Sequence, residues 1–123
     1  MRLLLISAFG VAGTLARYWL QGFVQQRAGA GFPMGTLIVN LTACLALGVV
    51  SEYAMRHIAF PPDWRIGITV GFFGAYSTFS TFSLETMKML DEGDWLRASA
   101  YLAASIVGGL LAVRLGMRMG GAI

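Results

Sequence analysis

Four long apolar stretches separated by short polar ones dominate the hydrophobic pattern of this chain. A membrane-spanning helix needs roughly 20 mostly apolar residues, and four stretches reach this length, at about 3–23, 31–53, 66–88 and 95–115. The polar stretches at their ends, QQRAGAGFP at 25–33, MRHIAFPPDWR at 55–65 and KMLDEGDWLR at 88–97, hold most of the charge and all three prolines, which is typical of loops and membrane interfaces. The pattern predicts an all-α membrane protein, with residues 1–123 forming a single domain of four transmembrane helices.

The composition supports lipid as the surroundings of these helices. Hydrophobic residues make up 57% of the chain and charged residues only 12%, whereas soluble domains carry about 25% charge. The mean hydropathy is +0.69. The same numbers argue against a disordered chain and, with a net charge of only +3, against a nucleic-acid partner. A single cysteine, Cys44, excludes an intrachain disulfide.

The distribution of basic residues gives only a slight orientation signal. With four spans, both termini and the second loop share one side, which holds Arg2, Arg56, Arg65, Arg114 and Arg118. The other side holds Arg27, Lys88 and Arg97. Cytoplasmic loops usually carry the excess of Lys and Arg, so a bias of five against three is compatible with insertion either way up. An antiparallel homodimer is one possibility.

The third stretch contains the densest polar signal, GFFGAYSTFSTFSLE at 71–85. Five hydroxyl residues within 77–83, preceded by Gly71 and Gly74, favour a break in the helix, where freed carbonyls are able to bind a cation. On a helix, Phe79 and Phe82 share one face. A neighbouring face carries Thr78, Thr81 and Glu85. Ordinary helix packing, with the phenylalanines facing lipid, is the alternative interpretation.

Two further polar residues lie inside apolar stretches. Asn40, one turn after Thr36, must face protein or water at that depth. Its amide either joins two helices by a hydrogen bond or donates to a passing anion. Arg17 either snorkels to the interface or is a fixed charge that attracts anions to a vestibule. No catalytic constellation accompanies these residues, so we do not expect an enzyme.

Taken together, these segments resemble the small fluoride channels of the CrcB or Fluc family. The likeness covers all four stretches and rests on GVAGTLARY at 10–18, GTLIVN at 35–40, the segment at 71–85, and Tyr101 with Ser105. It implies a passive, highly selective channel of the cell inner membrane that exports cytoplasmic fluoride down its electrochemical gradient and gives fluoride resistance. It also implies an antiparallel, dual-topology homodimer with two pores and a structural sodium ion at the dimer interface.

The resemblance assigns roles to individual residues of this chain. Those implied to line the fluoride pore are Asn40, Phe79, Phe82, Ser80, Thr81, Tyr101, Thr36 and Glu85. Gly74 and Ser77 are implied to offer backbone carbonyls to the sodium ion, and Arg17 to act in the vestibule or in assembly. The chain departs from the family pattern at two places: Ser77 replaces a common Thr, and Ala43 replaces a frequent Gly.

Two other functions remain as alternatives. A small multidrug-resistance-type exporter has a similar size and also inserts both ways up, but its proton exchange needs a glutamate in the first span. Here the first span carries Arg17 and no acidic residue. A packing subunit without transport would leave the 77–83 segment and Asn40 with helix contact as their only role.

Overall fold

The computed structural model describes all 123 residues, and every regular element in it is helical. The elements are α1 (Arg2–Ala28), α2 (Met34–Arg56), α3 (Pro62–Ile66), a π-helical segment (Gly67–Phe73), α4 (Gly74–Tyr76), α5 (Phe79–Asp91) and α6 (Trp95–Ala122). The predicted all-helical class is confirmed. By length and composition, α1, α2 and α6 are able to cross a membrane, and they contain most of the first, second and fourth apolar stretches.

The third apolar stretch is divided among several shorter elements. Pro62 stands in the first turn of α3, where its fixed φ suits a helix start. The π-helical segment and α4 follow. Ser77 and Thr78 then take extended backbone conformations, with ψ of 158° and 112°. Helix α5 begins at Phe79, so the helix is interrupted at Ser77 and Thr78.

Glycines allow the closest helix contacts. At Gly116 and Gly120 of α6, an added Cβ would lie against the backbone of Leu45 and Val49 in α2. Gly13 of α1 lies in the same way against the backbone of Phe72 in the π-helical segment. Small residues in contact are typical of membrane helix pairs, because they let backbones approach. The pairs α2–α6 and α1–π segment therefore form the frame of the bundle.

Contacts between the loops define two ends of the bundle. At the end that holds both chain termini, Arg2 Nε is 2.9 Å from Asp63 Oδ1, and the Arg56 guanidinium lies beside Gly121. At the opposite end, Arg97 donates to the carbonyl of Gly31. We call these the terminal end and the loop end.

The outside of the bundle is apolar, and its core is small. One buried cluster consists of Leu37, Phe82, Met89, Ala98 and Tyr101, and a second of Val39, Ala43, Phe73 and Tyr76. Large exposed hydrophobic side chains include Leu3, Leu4, Leu110 and Leu111. Such a surface suits hydrocarbon, because in water it would be one extended apolar patch. Few side chains are therefore buried between the helices, and close backbone contacts at glycines account for much of the helix packing.

We expect Gly116→Ala to lower the free energy of unfolding by about 1–3 kcal/mol, since the new methyl group meets the α2 backbone, which cannot move aside as a side chain does. Gly22→Ala is the matched control, because its Cβ meets nothing within 4 Å. There the change should be neutral or stabilising by up to about 1 kcal/mol, from helix propensity. Chemical unfolding in micelles, followed by tryptophan fluorescence, measures both. Equal stability of the two variants would contradict this account of α2–α6 packing.

Candidate functional site

A carboxyl group held by two hydroxyl groups lies where α2, α5 and α6 meet. Thr36 donates from Oγ1 to Glu85 Oε1 at 2.8 Å, and the Tyr101 hydroxyl donates to Glu85 Oε2 at 2.7 Å. Thr36 and Tyr101 are almost completely buried, with 1% and 0% of their surfaces exposed. Three residues predicted from separate stretches are therefore in direct contact. We call Thr36, Glu85 and Tyr101 the carboxyl cluster.

Two glutamines of α1, not anticipated from the sequence, support this cluster. Gln21 donates from Nε2 to Thr36 Oγ1 at 3.2 Å. Gln25 donates to the Phe32 carbonyl at 3.0 Å and accepts from the Gly35 N–H at 3.1 Å. It thus fixes the α1–α2 connection just before Thr36. Amides four residues apart in an apolar helix are the signal that identifies them, because they share one face of that helix and need polar partners.

The Asn40 side chain makes hydrogen bonds with backbone groups where the helix is interrupted. The Thr78 N–H donates to Asn40 Oδ1 at 2.8 Å, and Asn40 Nδ2 donates to the Thr78 carbonyl at 3.0 Å. Backbone groups at membrane depth need such partners. Of the two roles considered for Asn40, the hydrogen bond that joins two helical segments is therefore observed. Its amide nitrogen carries two hydrogens, and one lies outside this pair.

The carbonyls of Gly74 and Ser77 lose their usual helical donors at the same interruption. In a continuous α-helix they would accept from the N–H groups of Thr78 and Thr81. Here those groups donate to Asn40 Oδ1 and to Thr78 Oγ1, at 2.8 and 3.3 Å. Gly74 is exposed. Carbonyl oxygens suit a hard cation, and these two oxygens of one chain leave most of a coordination shell to other ligands.

The aromatic residues form a row that leads from the surface to the carboxyl cluster. Phe79 is 79% exposed and Phe82 is 8% exposed. The Phe82 ring lies between its neighbours, with centroids 5.7 Å from Phe79 and 5.1 Å from Tyr101. Phe32 meets Tyr101 edge-on at 5.5 Å. Phe79 and Phe82 therefore do come together, but only one of them is covered within a single chain.

The remaining candidates are more dispersed. Thr81 accepts a hydrogen bond from the Thr78 hydroxyl at 2.9 Å, which places it beside the interruption. Ser80 is exposed and outside the carboxyl cluster. Arg17 is partly buried in α1 and takes part in none of the three salt bridges. Ser105 was part of the family likeness only, yet its hydroxyl is buried and has no hydrogen-bond partner, one turn after Tyr101.

A pocket at the loop end reaches the carboxyl cluster from outside. It has a volume of about 200 Å³, and Glu85 is in its wall together with Lys88, Glu92 and Arg97. Charges of both signs therefore surround this opening. Glu85 is the residue shared by the pocket and the cluster, whereas Thr36 and Tyr101 are buried behind it and do not line the pocket.

We expect Tyr101→Phe to lower the free energy of unfolding by about 1–3 kcal/mol, the cost of leaving a buried hydrogen-bonding group without its partner. The ring remains, and only the buried donor to Glu85 is lost. Tyr18→Phe is the control: Tyr18 is 74% exposed, so that change should stay within about 0.5 kcal/mol. Equilibrium unfolding of both variants makes the comparison. An equal effect at the two tyrosines would contradict a stabilising role for the Tyr101–Glu85 contact.

Comparison with known proteins identifies relatives along nearly the whole chain. Residues 4–117 match the family described as CrcB-like protein, Camphor Resistance (CrcB). Among the similar proteins are those of Geobacter metallireducens, 42% identical over 91% of this chain and 90% of the relative, and Citrifermentans bemidjiense, 41% identical over 99% and 98%. A third, from Pelobacter propionicus, is 45% identical over 93% and 88%. Each is named "Fluoride-specific ion channel FluC".

The match extends over every element that carries the site. It includes both glutamines of α1, the interruption after α4, and the Tyr101 turn of α6. Together with three apolar helices long enough to cross a membrane, it makes this chain an integral membrane protein. From the family match and the near-complete coverage of its relatives, we conclude that the chain belongs to the CrcB-like protein family.

Proposed function

We propose that this chain forms a passive, highly selective fluoride channel that exports cytoplasmic fluoride and so gives fluoride resistance. The observation that carries the proposal is the full-length similarity to relatives named as fluoride-specific ion channels. No relative among them is named as an enzyme, in agreement with the expectation from the sequence. Because these relatives are bacterial, we place the channel in the cell inner membrane.

The chemistry of the site suits a small, strongly hydrated anion. A selective pore must replace the ion's water with donors held at close quarters. Phe82 and Phe79 present ring edges, which carry the positive part of the aromatic quadrupole. The unused amide hydrogen of Asn40 and the hydroxyl groups of Ser80, Thr81 and Ser105 are further donors in this proposal. These groups attract fluoride, whereas an uncovered carboxylate would repel it.

Glu85 holds the donors of the carboxyl cluster until an anion arrives. Thr36 and Tyr101 direct their hydroxyl hydrogens at its two oxygens. Fluoride accepts the same kind of hydrogen bond, so an ion entering from the loop-end pocket takes over one hydroxyl as Glu85 gives it up. Arg17, which is outside the wall of that pocket, acts in the vestibule or in assembly in this proposal. An inside-negative potential then drives export, at about 2.3 kcal/mol per 100 mV for each charge.

The functional unit in this proposal is an antiparallel homodimer with two pores. Three features of the single chain support it. Phe79 is left exposed although it belongs to the aromatic row, the Gly74 and Ser77 carbonyls need further ligands, and the basic residues are divided five to three between the two sides. A second, inverted copy would cover Phe79 and double the number of carbonyls around one sodium ion.

Labelling of a single cysteine tests the dual topology. A Cys44→Ala, Ile58→Cys variant carries one thiol, at a loop residue that is 97% exposed. In sealed cells, a membrane-impermeant maleimide should label about half of the molecules. Labelling of all or none of them would mean a single orientation and would contradict the antiparallel dimer.

Replacement of sodium tests the proposed cation site. We expect the melting temperature of the purified dimer to fall when Na⁺ is exchanged for N-methylglucamine at constant ionic strength, because ligands that bind only the folded state stabilise it. Potassium serves as the control for charge alone. Equal melting temperatures in all three salts would contradict sodium binding at these carbonyls.

The alternative, a proton-coupled exporter, makes a different prediction for the driving force. Fluoride release from proteoliposomes at equal pH on both sides, with a potassium ionophore to carry charge, should be rapid for a channel. An exporter would require a pH gradient. Release only in the presence of that gradient would contradict passive conduction.

A further inference from the structure

A pocket lined by arginines at the terminal end lies outside the site described above. It has a volume of about 340 Å³ and lies between the last turns of α2 and α6, with Arg56, Arg114 and Arg118 in its wall. Gly121 belongs to the same wall, and an added Cβ there would meet the Arg56 guanidinium at 3.1 Å. The glycine thus makes the room in which the Arg56 side chain lies against α6.

Two of the three guanidinium groups have no acidic partner. Glu52, the one acidic residue of the pocket, binds Arg56 Nε at 2.8 Å. The other acidic residue at this end, Asp63, binds Arg2. Arg114 and Arg118 take part in no salt bridge or side-chain hydrogen bond, and both are exposed. The pocket therefore has an unbalanced positive charge and planar donors, which suit a phosphate group.

The position of the pocket indicates where the phosphate comes from. Residues 98–113 of α6 are uncharged, so Arg114 and Arg118 stand where the apolar part of the helix ends. Val107 and Leu111 occupy the same face of α6 as these arginines, seven residues earlier, and are 56% and 64% exposed. A guanidinium pair above an exposed apolar strip matches a lipid, with its headgroup at the arginines and an acyl chain along the strip.

We propose that this pocket binds the phosphodiester headgroup of an anionic phospholipid, held by Arg114 and Arg118 with Arg56 beside them. The site is independent of fluoride conduction, since none of its residues belongs to the carboxyl cluster, the aromatic row or the loop-end pocket. Basic pockets between membrane helices are known to take such headgroups. Arg114 and Arg118, which have no acidic partner, attract the headgroup. The glycine contacts between α2 and α6 hold the two helices in the positions that form the pocket.

Native mass spectrometry of the purified, full-length protein tests the proposal, with phosphatidylglycerol and phosphatidylcholine added separately. We expect wild-type protein to retain phosphatidylglycerol preferentially. An Arg114→Gln, Arg118→Gln variant should bind it roughly 30-fold more weakly, and Arg118→Gln alone roughly fivefold. The control is Arg27→Gln, Arg65→Gln, which removes equal charge outside the pocket and should retain wild-type binding.

Three results would overturn the proposal. They are equal retention of the two lipids by wild-type protein, equal loss in the control and the pocket variants, and unchanged binding in both pocket variants. Inorganic phosphate distinguishes the source of the ligand. If millimolar phosphate alone raised the melting temperature of delipidated protein as much as phosphatidylglycerol does, the occupant would be free phosphate, and the lipid assignment would be wrong. A rise with the lipid only would support it.

Discussion

Replacing Asn40 with aspartate is expected to reduce fluoride flux by at least about 100-fold, because an ionised carboxylate beside the path repels an anion by several kcal/mol at an effective dielectric of about 20. The substitution preserves side-chain shape. The new carboxylate would still accept from the Thr78 N–H, so the hydrogen bond seen at 2.8 Å is retained. The donor to the Thr78 carbonyl is lost. Fluoride efflux from proteoliposomes measures the effect.

Gln26→Glu is the matched control for this change. It converts the same amide to a carboxylate, but Gln26 is exposed on α1 and makes no side-chain hydrogen bond. We expect its flux to stay within about twofold of wild type, since exposed charges are screened at physiological salt. Size-exclusion profiles identify folded protein for both variants. If folded Asn40→Asp protein conducted as fast as the control, Asn40 would have no place beside the ion path.

Phe82→Ile is expected to have the second-largest effect, a loss of fluoride flux of about two- to tenfold. Isoleucine is apolar and fills part of the ring's volume, but it has no positive ring edge, and such aromatic contacts contribute about 0.5–1.5 kcal/mol. The Phe82 ring also lies between Phe79 and Tyr101, so its replacement removes the aromatic contact with each of them. The rate of fluoride release from liposomes, calibrated by protein content, measures this loss.

Phe60→Ile provides the control for packing. Phe60 is partly buried and meets Tyr53 edge-on, with centroids 6.2 Å apart, in the connection at the terminal end. It therefore makes the same kind of aromatic contact away from the carboxyl cluster. We expect normal flux from this variant. If Phe82→Ile also gave normal flux, the assignment of Phe79 and Phe82 to the pore would be wrong.

The helical class and the polar segment at 71–85 were predictable because they rest on local pattern. Length and apolarity alone define α1, α2 and α6 as long membrane helices. The π-helical segment was not predictable, since the run at 66–73, whose one polar side chain is Thr69, has no polar face whose period would reveal a wider helical turn. The hydrogen-bond partner of Asn40 could not be predicted from the sequence either. An amide in an apolar stretch must find a partner, but the sequence does not say that it is the Thr78 backbone, 38 positions away.

The carboxyl cluster illustrates the same limit at the candidate site. Glu85, Thr36 and Tyr101 were each implied by the family resemblance, yet their mutual hydrogen bonds depend on how three helices pack. The glycine contacts between α2 and α6 set that packing, and they act through backbone approach rather than side-chain chemistry. Gln21 joins the cluster from α1, and its role follows only from the position of Thr36 beside it. Residue types were thus predictable, and their pairing was not.

The central claim is selective, passive fluoride conduction, and efflux from liposomes that contain only this purified protein tests it most directly. The liposomes are loaded with equal fluoride and chloride, and a potassium ionophore carries the compensating charge at equal pH on both sides. We predict rapid fluoride release with chloride retained. Release of both anions at similar rates, or no fluoride release from well-folded protein, would contradict the claim.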